Sequence, residues 1–257
     1  MIRIAKWILA MMPLVIFGIL YFAIGIFPPH HFNSVDIRGL HDAELHLWGI
    51  VPSEWFAVHN CAFVDVFAGI FYLLWIPLPI IFSIIIFYQR QYKWVLHFSC
   101  AFLLTNIIGF CGYYLHPAAP PWYVMDNGFN LDLTVVSTSA GLARFDELIG
   151  IPVFGSIYPG SANIFGAVPS LHAAYMTVAT IYAFASRQKV WLKALFIFVT
   201  VGIWFTAVYS GHHYTIDVIL GIMTAIGGVV VFEKVLMRIP RFEHFMKKYE
   251  RLVIINN

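Results

Sequence analysis

The sequence predicts an all-α integral membrane protein, with six transmembrane helices in one bundle and both termini in the cytoplasm. Composition is the first reason. Of the 257 residues, 61% are hydrophobic and only 11% are charged, against ~25% charged in soluble globular domains. Patterning is the second: apolar runs recur at lengths that suit a bilayer, where about 20 residues rising 1.5 Å each are needed to cross. Together these exclude an ordinary soluble domain, and no nucleic-acid partner is expected.

Six runs qualify: Trp7 to Phe27, Cys61 to Tyr88, Trp94 to Leu115, Ser170 to Ala185, Val190 to Tyr209 and Tyr214 to Phe232. The first begins after a basic start, as a secretory signal would. It runs on to Phe27 without an A-x-A-like cleavage site, so it is read as a retained span. The fourth is the shortest. No repeat, low-complexity tract or domain boundary divides residues 1–257, which read as one membrane domain with a core bundle at about 94–233. The segment 234–257 is a basic cytoplasmic tail, and its mixture of basic and bulky apolar residues suits an interfacial helix. Cys61, Cys100 and Cys111 lie in or beside apolar runs and are expected to be buried, reduced thiols rather than a disulfide framework.

Charge placement orients the bundle. Of the 15 lysines and arginines, all but Arg38 and Arg144 fall on one side of the six spans, which the positive-inside rule makes cytoplasmic. The opposite side holds Asp36, Asp42, Glu44, Glu54, Asp126, Asp132, Asp146 and Glu147, in two long loops near 28–60 and 116–169.

Ionisable groups at membrane depth are costly and tend to serve function, and here they gather at the extracytoplasmic end. His172 stands in "GAVPSLHAAY" at the start of the fourth span. His212, His213 and Asp217 stand in "YSGHHYTID" between the fifth and sixth. A histidine and an aspartate four residues apart share a helix face. Asp217 is therefore expected to accept a hydrogen bond from one nitrogen of His213 and leave the other free as nucleophile or base. Pro169 and Ser170 look like a helix start, where free N–H groups favour an anion, with His172 beside it as an acid. Two histidines around an anion cradle suit phosphoryl transfer through a phosphohistidine. A zinc site built from His172, His212, His213 and Asp217 is an alternative, though adjacent helical residues point about 100° apart and could share one ion only across a bend. A transporter or scaffold without chemistry is another. Asp65 and His97, inside spans, read as bonds to neighbouring helices, and Arg144 could simply pair with Asp146 or Glu147.

"VPSLHAAY" and "YSGHHYTID" resemble the second and third signature motifs of the type 2 phosphatidic acid phosphatase superfamily. Its integral membrane members are six-helix lipid phosphatases and phosphotransferases. With "APPWY" before the long loop, the chain is more similar to the inositol phosphorylceramide synthase branch, over roughly Trp94 to Glu233. The resemblance implies His213 as nucleophile, Asp217 as its orienting carboxylate and His172 as general acid and base. It also implies an inositol phosphate-like headgroup moved from a phospholipid donor to a lipid alcohol such as ceramide, and no metal or other cofactor; a lipid phosphate phosphatase, with water as acceptor, is the runner-up. The lipid phosphatases carry a lysine and an arginine in their first motif, where "HPAAPPWY" has neither, and an arginine six residues before the nucleophile, where Ala207 stands. Arg144 is the expected replacement, through bidentate contact with phosphate. Ser170, His212, His116, Pro121, Trp122 and Tyr123 complete the expected phosphate- and substrate-binding set.

The charge asymmetry is open to a direct check. In a cysteine-free variant, a single cysteine at Asn127 is expected to react with impermeant maleimide in intact cells, and one at Lys248 only after permeabilisation. The reverse pattern would invert the topology.

Overall fold

Prolines interrupt the first two apolar runs, and the chain bends where they fall. In the computed structural model, which describes residues 2–160 and 163–255, α1 (Ile2–Ala10) and α2 (Met12–Ile26) meet at 54°, with Pro13 in the first turn of α2. After the surface helices α3 (Gly39–Trp48) and α4 (Pro52–Val58), the second run divides in the same way. Its halves, α5 (Ala62–Leu74) and α6 (Pro77–Tyr88), are bent by 48° at Pro77. Proline lacks the N–H that would continue the ladder and its ring clashes with the preceding turn. Both spans that read as continuous in the sequence are thus broken pairs.

The remaining runs are cleaner. α7 (Tyr92–Leu115), α12 (Val190–Tyr209) and the continuous stretch Thr215–Arg238 are each long and apolar enough to cross a bilayer; counting each bent pair as one span makes five. The last stretch comprises α13 (Thr215–Val230), a π-helical turn at Val231–Val235 and a tight turn at Leu236–Arg238. The fourth expected span is α11 (Leu171–Ala185), only 15 residues and so about 22 Å long, short of the roughly 30 Å hydrocarbon core. It sits at the centre of the bundle, packed by α6, α7, α12 and α13. Ala173, Ala174, Ala179 and Ala183 on its surface are fully buried, which suits membrane bundles, where small residues let helix backbones approach.

Short helices cover the end at which α11 begins: α8 (Pro121–Asn127), α9 (Ala143–Ile149) and α10 (Val153–Ile157) join α3 and α4 there. No strand forms among the described residues, but isolated parallel bridges tie Asp36 to Ala118 and Ala118 to Gly166. At the opposite end α14 (Pro240–Val253), amphipathic as the sequence predicts, packs on α1 and α7. It buries Met246 and Val253, and the Tyr249 hydroxyl donates to the Leu9 carbonyl at 2.6 Å. Phe22, Phe63, Phe198 and Met223 project outward from the long helices, an apolar exterior that fits lipid rather than water. The three cysteines are unpaired, as expected, but Cys61 and Cys111 lie on the bundle exterior and Cys100 is half-buried. Cys61 and Cys111 thus lie outside the core, while Cys100 packs against it.

One close approach sets the position of α11. A Cβ added to Gly221 of α13 would stand 2.1 Å from the Ser170 carbonyl oxygen, so only glycine permits the contact. Gly221→Ala is expected to force the two helices apart at a cost of about 1–3 kcal/mol. The check is thermal unfolding in detergent, with Gly227→Ala, which meets nothing within 4 Å, as the control that leaves stability unchanged.

Candidate active site

The end of α12 dictates where the two adjacent histidines go. Gly211 adopts φ +76°, a left-handed conformation that L residues resist, and its N–H bonds to the Val208 carbonyl at 3.0 Å. The helix stops there. His212 and His213 therefore occupy a tight loop, not successive helical positions, and the His213 N–H returns to the Ala207 carbonyl at 2.9 Å. Asp217 lies in the first turn of α13, fully buried, with Oδ2 accepting the Tyr214 N–H at 2.8 Å. Glu44 of α3 reaches over and caps the same helix, accepting from the Ile216 N–H at 3.0 Å and from the Thr215 hydroxyl. On α11, at the helix start expected from the sequence, Ser170 is the N-cap: its Oγ accepts the Ala173 N–H at 3.3 Å. Its own N–H donates to the Asp217 carbonyl at 2.9 Å.

That backbone link joins the two motifs, and the histidines meet. His172 Nδ1 lies 3.0 Å from His213 Nε2. His213 Nδ1 lies 2.9 Å from the Ala167 carbonyl oxygen and 3.5 Å from Asp217 Oδ2. A carbonyl can only accept, so Nδ1 carries the proton, Nε2 presents its lone pair, and His172 donates across the 3.0 Å contact. Asp217 is beyond good hydrogen-bond distance; the bond that the sequence assigns to it belongs to a backbone carbonyl. Asp217 instead places a carboxyl beside the ring. His172 is clamped by aromatic rings from α5 and the bend after it, with Tyr72 stacked at 4.8 Å between centroids and Trp75 edge-on at 4.6 Å.

His212 faces another way. Its Nδ1 pairs with Ser210 Oγ at 2.9 Å, its ring meets Tyr158 at 4.6 Å, and its Nε2 is buried without a partner. Burial and the neighbouring His213 push its pKa down to about 3, so it is neutral at physiological pH.

Arg144, on α9, arrives beside this loop. Its Nε donates to Asp65 Oδ1 at 2.7 Å, and the Tyr209 hydroxyl donates to the same oxygen at 2.8 Å. The guanidinium carbon lies 5.1 Å from the Tyr209 ring centroid. Nη1 borders Gly141, whose N–H bonds to the Ser210 carbonyl at 2.8 Å, and Nη2 is buried with no partner. The acidic neighbours offered by the sequence are otherwise engaged or absent from this contact: Asp146 accepts from the N–H groups of Phe154 and Gly155. Arg38, the other arginine of this end, lies 4.2 Å over the Phe129 ring.

The other expected binding residues form a frame behind the loop. His116 is mostly exposed and pairs with Asp36 at 3.0 Å. The bridges Asp36–Ala118–Gly166 continue into Ala167, whose carbonyl holds His213. Pro121, Trp122 and Tyr123 are buried at the start of α8; the Trp122 N–H donates to the Gly211 carbonyl at 2.9 Å, and the Tyr123 hydroxyl is tied to the backbone at Asn130 and Asp132. Among the described residues, no group of three or more His, Cys, Asp and Glu side chains is arranged to hold a metal ion. Sequence reasoning missed the part played by α5. Its signal was present: Asp65, Ala68, Gly69 and Tyr72 are all buried at the i, i+3, i+4, i+7 spacing of one helix face, with a carboxylate at its head.

A bundle with helices of membrane-spanning length and two histidines in contact at one end is joined by the comparisons to a class of membrane lipid enzymes. The PAP2 superfamily model matches residues 38–231, and the chain belongs to that superfamily. It is 47% identical over 255 residues to the phosphoinositol dihydroceramide synthase of Bacteroides thetaiotaomicron, covering 96% of this chain and 84% of that protein. It is 30% identical to the inositol phosphorylceramide synthase catalytic subunit of Saccharomyces cerevisiae, covering 82% of this chain and 52% of that one, and 28% identical to the inositol phosphorylceramide synthase of Candida albicans, covering 89% and 48%. The chain thus spans about half the length of these fungal relatives. No solved structure matches it significantly.

The depressed pKa of His212 sets a pH dependence. The stability contributed by keeping this ring neutral is complete above an unfolded pKa of about 6.5 and is lost as pH falls toward about 3, because the unfolded chain binds the proton first. His212→Asn, which can still accept from Ser210, is expected to flatten the fall in melting temperature between pH 7 and pH 4.5. An unchanged slope would mean that the ring is solvated.

Proposed function

We propose that the chain is a membrane lipid phosphotransferase that moves a phosphoinositol headgroup from a phospholipid donor to the hydroxyl of a ceramide-type acceptor, through a phosphohistidine on His213. The observation that carries the reading is the 3.0 Å contact between His172 and His213, with the Arg144 guanidinium held beside the same loop. The substrates follow the names of the relatives, foremost the one matched over nearly the whole chain.

The steps balance on this chain's own groups. His213 Nε2 attacks phosphorus, with Nδ1–H held by the Ala167 carbonyl and the Asp217 carboxyl stabilising the positive ring that forms. The P–O bond to diacylglycerol breaks as protonated His172 gives its proton to the departing oxygen. His172, now neutral, takes the proton of the acceptor hydroxyl; that oxygen attacks phosphorus, the P–N bond breaks, and both histidines return to their starting states. Substrate must enter between the two rings, since each now occupies the other's reactive nitrogen. Arg144, the N–H groups in the first turn of α11 behind Ser170, and His212 Nε2 are the proposed donors to the phosphoryl oxygens. His116, Pro121, Trp122 and Tyr123 are proposed to shape the entrance from the surrounding loops.

Six spans, with α11 as the short central one and both termini cytoplasmic, complete the proposal, and they place the histidines on the extracytoplasmic face. The lysines and arginines support this orientation, since only Arg38 and Arg144 lie at the histidine end.

Purified protein given a phospholipid labelled in its phosphoinositol group is expected to yield labelled inositol phosphorylceramide only when ceramide is present, with the rate unchanged by EDTA and abolished by vanadate. His213→Ala should lower turnover at least about 10³-fold, and Asp217→Asn about 10²- to 10⁴-fold. Headgroup release to water at the same rate with or without ceramide would make the chain a phosphatase.

A further inference from the structure

The guanidinium of Arg144 does not hold itself in place. It stands on a seven-residue helix in a loop, and an arginine there would lose considerable side-chain entropy if fixed on a phosphoryl group unaided. Asp65 supplies the fixation. It is buried in α5, a charge inside an apolar span, where an unpaired carboxylate would be costly. It spends one oxygen on two donors: Arg144 Nε at 2.7 Å and the Tyr209 hydroxyl at 2.8 Å. Bonding through Nε rather than through the paired terminal nitrogens matters. It leaves the terminal nitrogens without a bond to the carboxylate, Nη1 lying by Gly141 and the Ser210 turn and Nη2 buried without a partner. A buried, unpartnered guanidinium N–H is rare unless a ligand completes it. Tyr209 fixes the opposite face, with its ring beneath the guanidinium and its hydroxyl on the shared carboxylate.

We infer that Asp65, assisted by Tyr209, is a positioning residue that aims the Nη2 edge of Arg144 at the phosphoryl group being transferred. The inference rests on the proposed phosphotransferase reading of the histidine pair. In this chain the cation absent at Ala207 is replaced by one brought from another loop and held by a carboxylate from the second apolar run. Asp65 touches no substrate in this arrangement; all of its effect passes through Arg144.

The test uses purified full-length protein and orthovanadate as the probe, alongside donor turnover. Arg144→Ala is expected to weaken vanadate inhibition about 10- to 100-fold, the worth of a charge-assisted contact, and Asp65→Asn about 10-fold. Asp65→Asn should do nothing further in an Arg144→Ala background. Added guanidinium should restore several-fold activity to Arg144→Ala but none to the double variant, because Asp65 is the anchor for the free cation; a merely structural aspartate would not separate these two. If Asp65→Asn fails to fold, Tyr209→Phe serves instead. It should weaken vanadate by a smaller factor, about 2- to 5-fold, and only while Arg144 is present. Additive effects, or equal rescue of both variants by guanidinium, overturn the inference and leave the transferase reading standing. Vanadate coupling between Asp65 and Arg144 in a protein that transfers no headgroup to a lipid alcohol would uphold the inference and remove that reading.

Discussion

The arrangement of this site depends on one backbone contact, the Ser170 N–H to the Asp217 carbonyl. It binds the start of α11 to the start of α13, and so sets His172 against His213 across 41 residues of chain. The contact exists because Gly221 has no side chain to hold the helices apart. Where two helix starts meet, their first N–H groups have no intrahelical partners. Ser170 caps one helix, Asp217 and Glu44 cap the other, and the same residues that close the helix ends deliver the polar groups of the site. Structural need and proposed chemistry are met by the same atoms.

Around this contact, burial in an apolar bundle selects which polar groups survive. Asp65 is paired with Arg144 and Tyr209, His97 with Glu233, and Asn106 with Tyr175, as the cost of stranded polar groups at depth requires. Among the buried side-chain atoms of the described residues left without a partner, Nη2 of Arg144 and Nε2 of His212 are the nitrogens. Both side chains border the Ser210 turn that leads into His213. A phosphoryl group is the natural complement of such donors.

The loops are as organised as the helices. Three segments distant in sequence, at Asp36, Ala118 and Gly166, share bridges that end in the Ala167 carbonyl on His213. The "PPWY" segment leans on the Gly211 carbonyl at the back of the same turn. Motif residues in this part of the chain therefore shape the backbone that presents the histidines. Their identity could be read from the sequence, but their mode of action could not, because a hydrogen bond to a carbonyl leaves no mark on residue type.

What the sequence determined by itself follows from local physics. Hydrophobic run length marked the helical segments, charge asymmetry ordered their ends, and histidines with an aspartate at helix starts marked the site. Pro13 and Pro77 were visible too, yet whether a proline bends a span or merely sits at its edge depends on the neighbours that take up the freed carbonyls. Three matters were decided only by tertiary structure. His213 takes its tautomer from Ala167 rather than from Asp217, Arg144 pairs with Asp65 rather than with its own neighbours, and His212 faces Ser210 and Tyr158 rather than the histidine pair. Each is a choice among partners of nearly equal chemistry. Such choices are settled by an ångström of approach that the packing of α5, α11 and α13 supplies and that no spacing along the chain encodes.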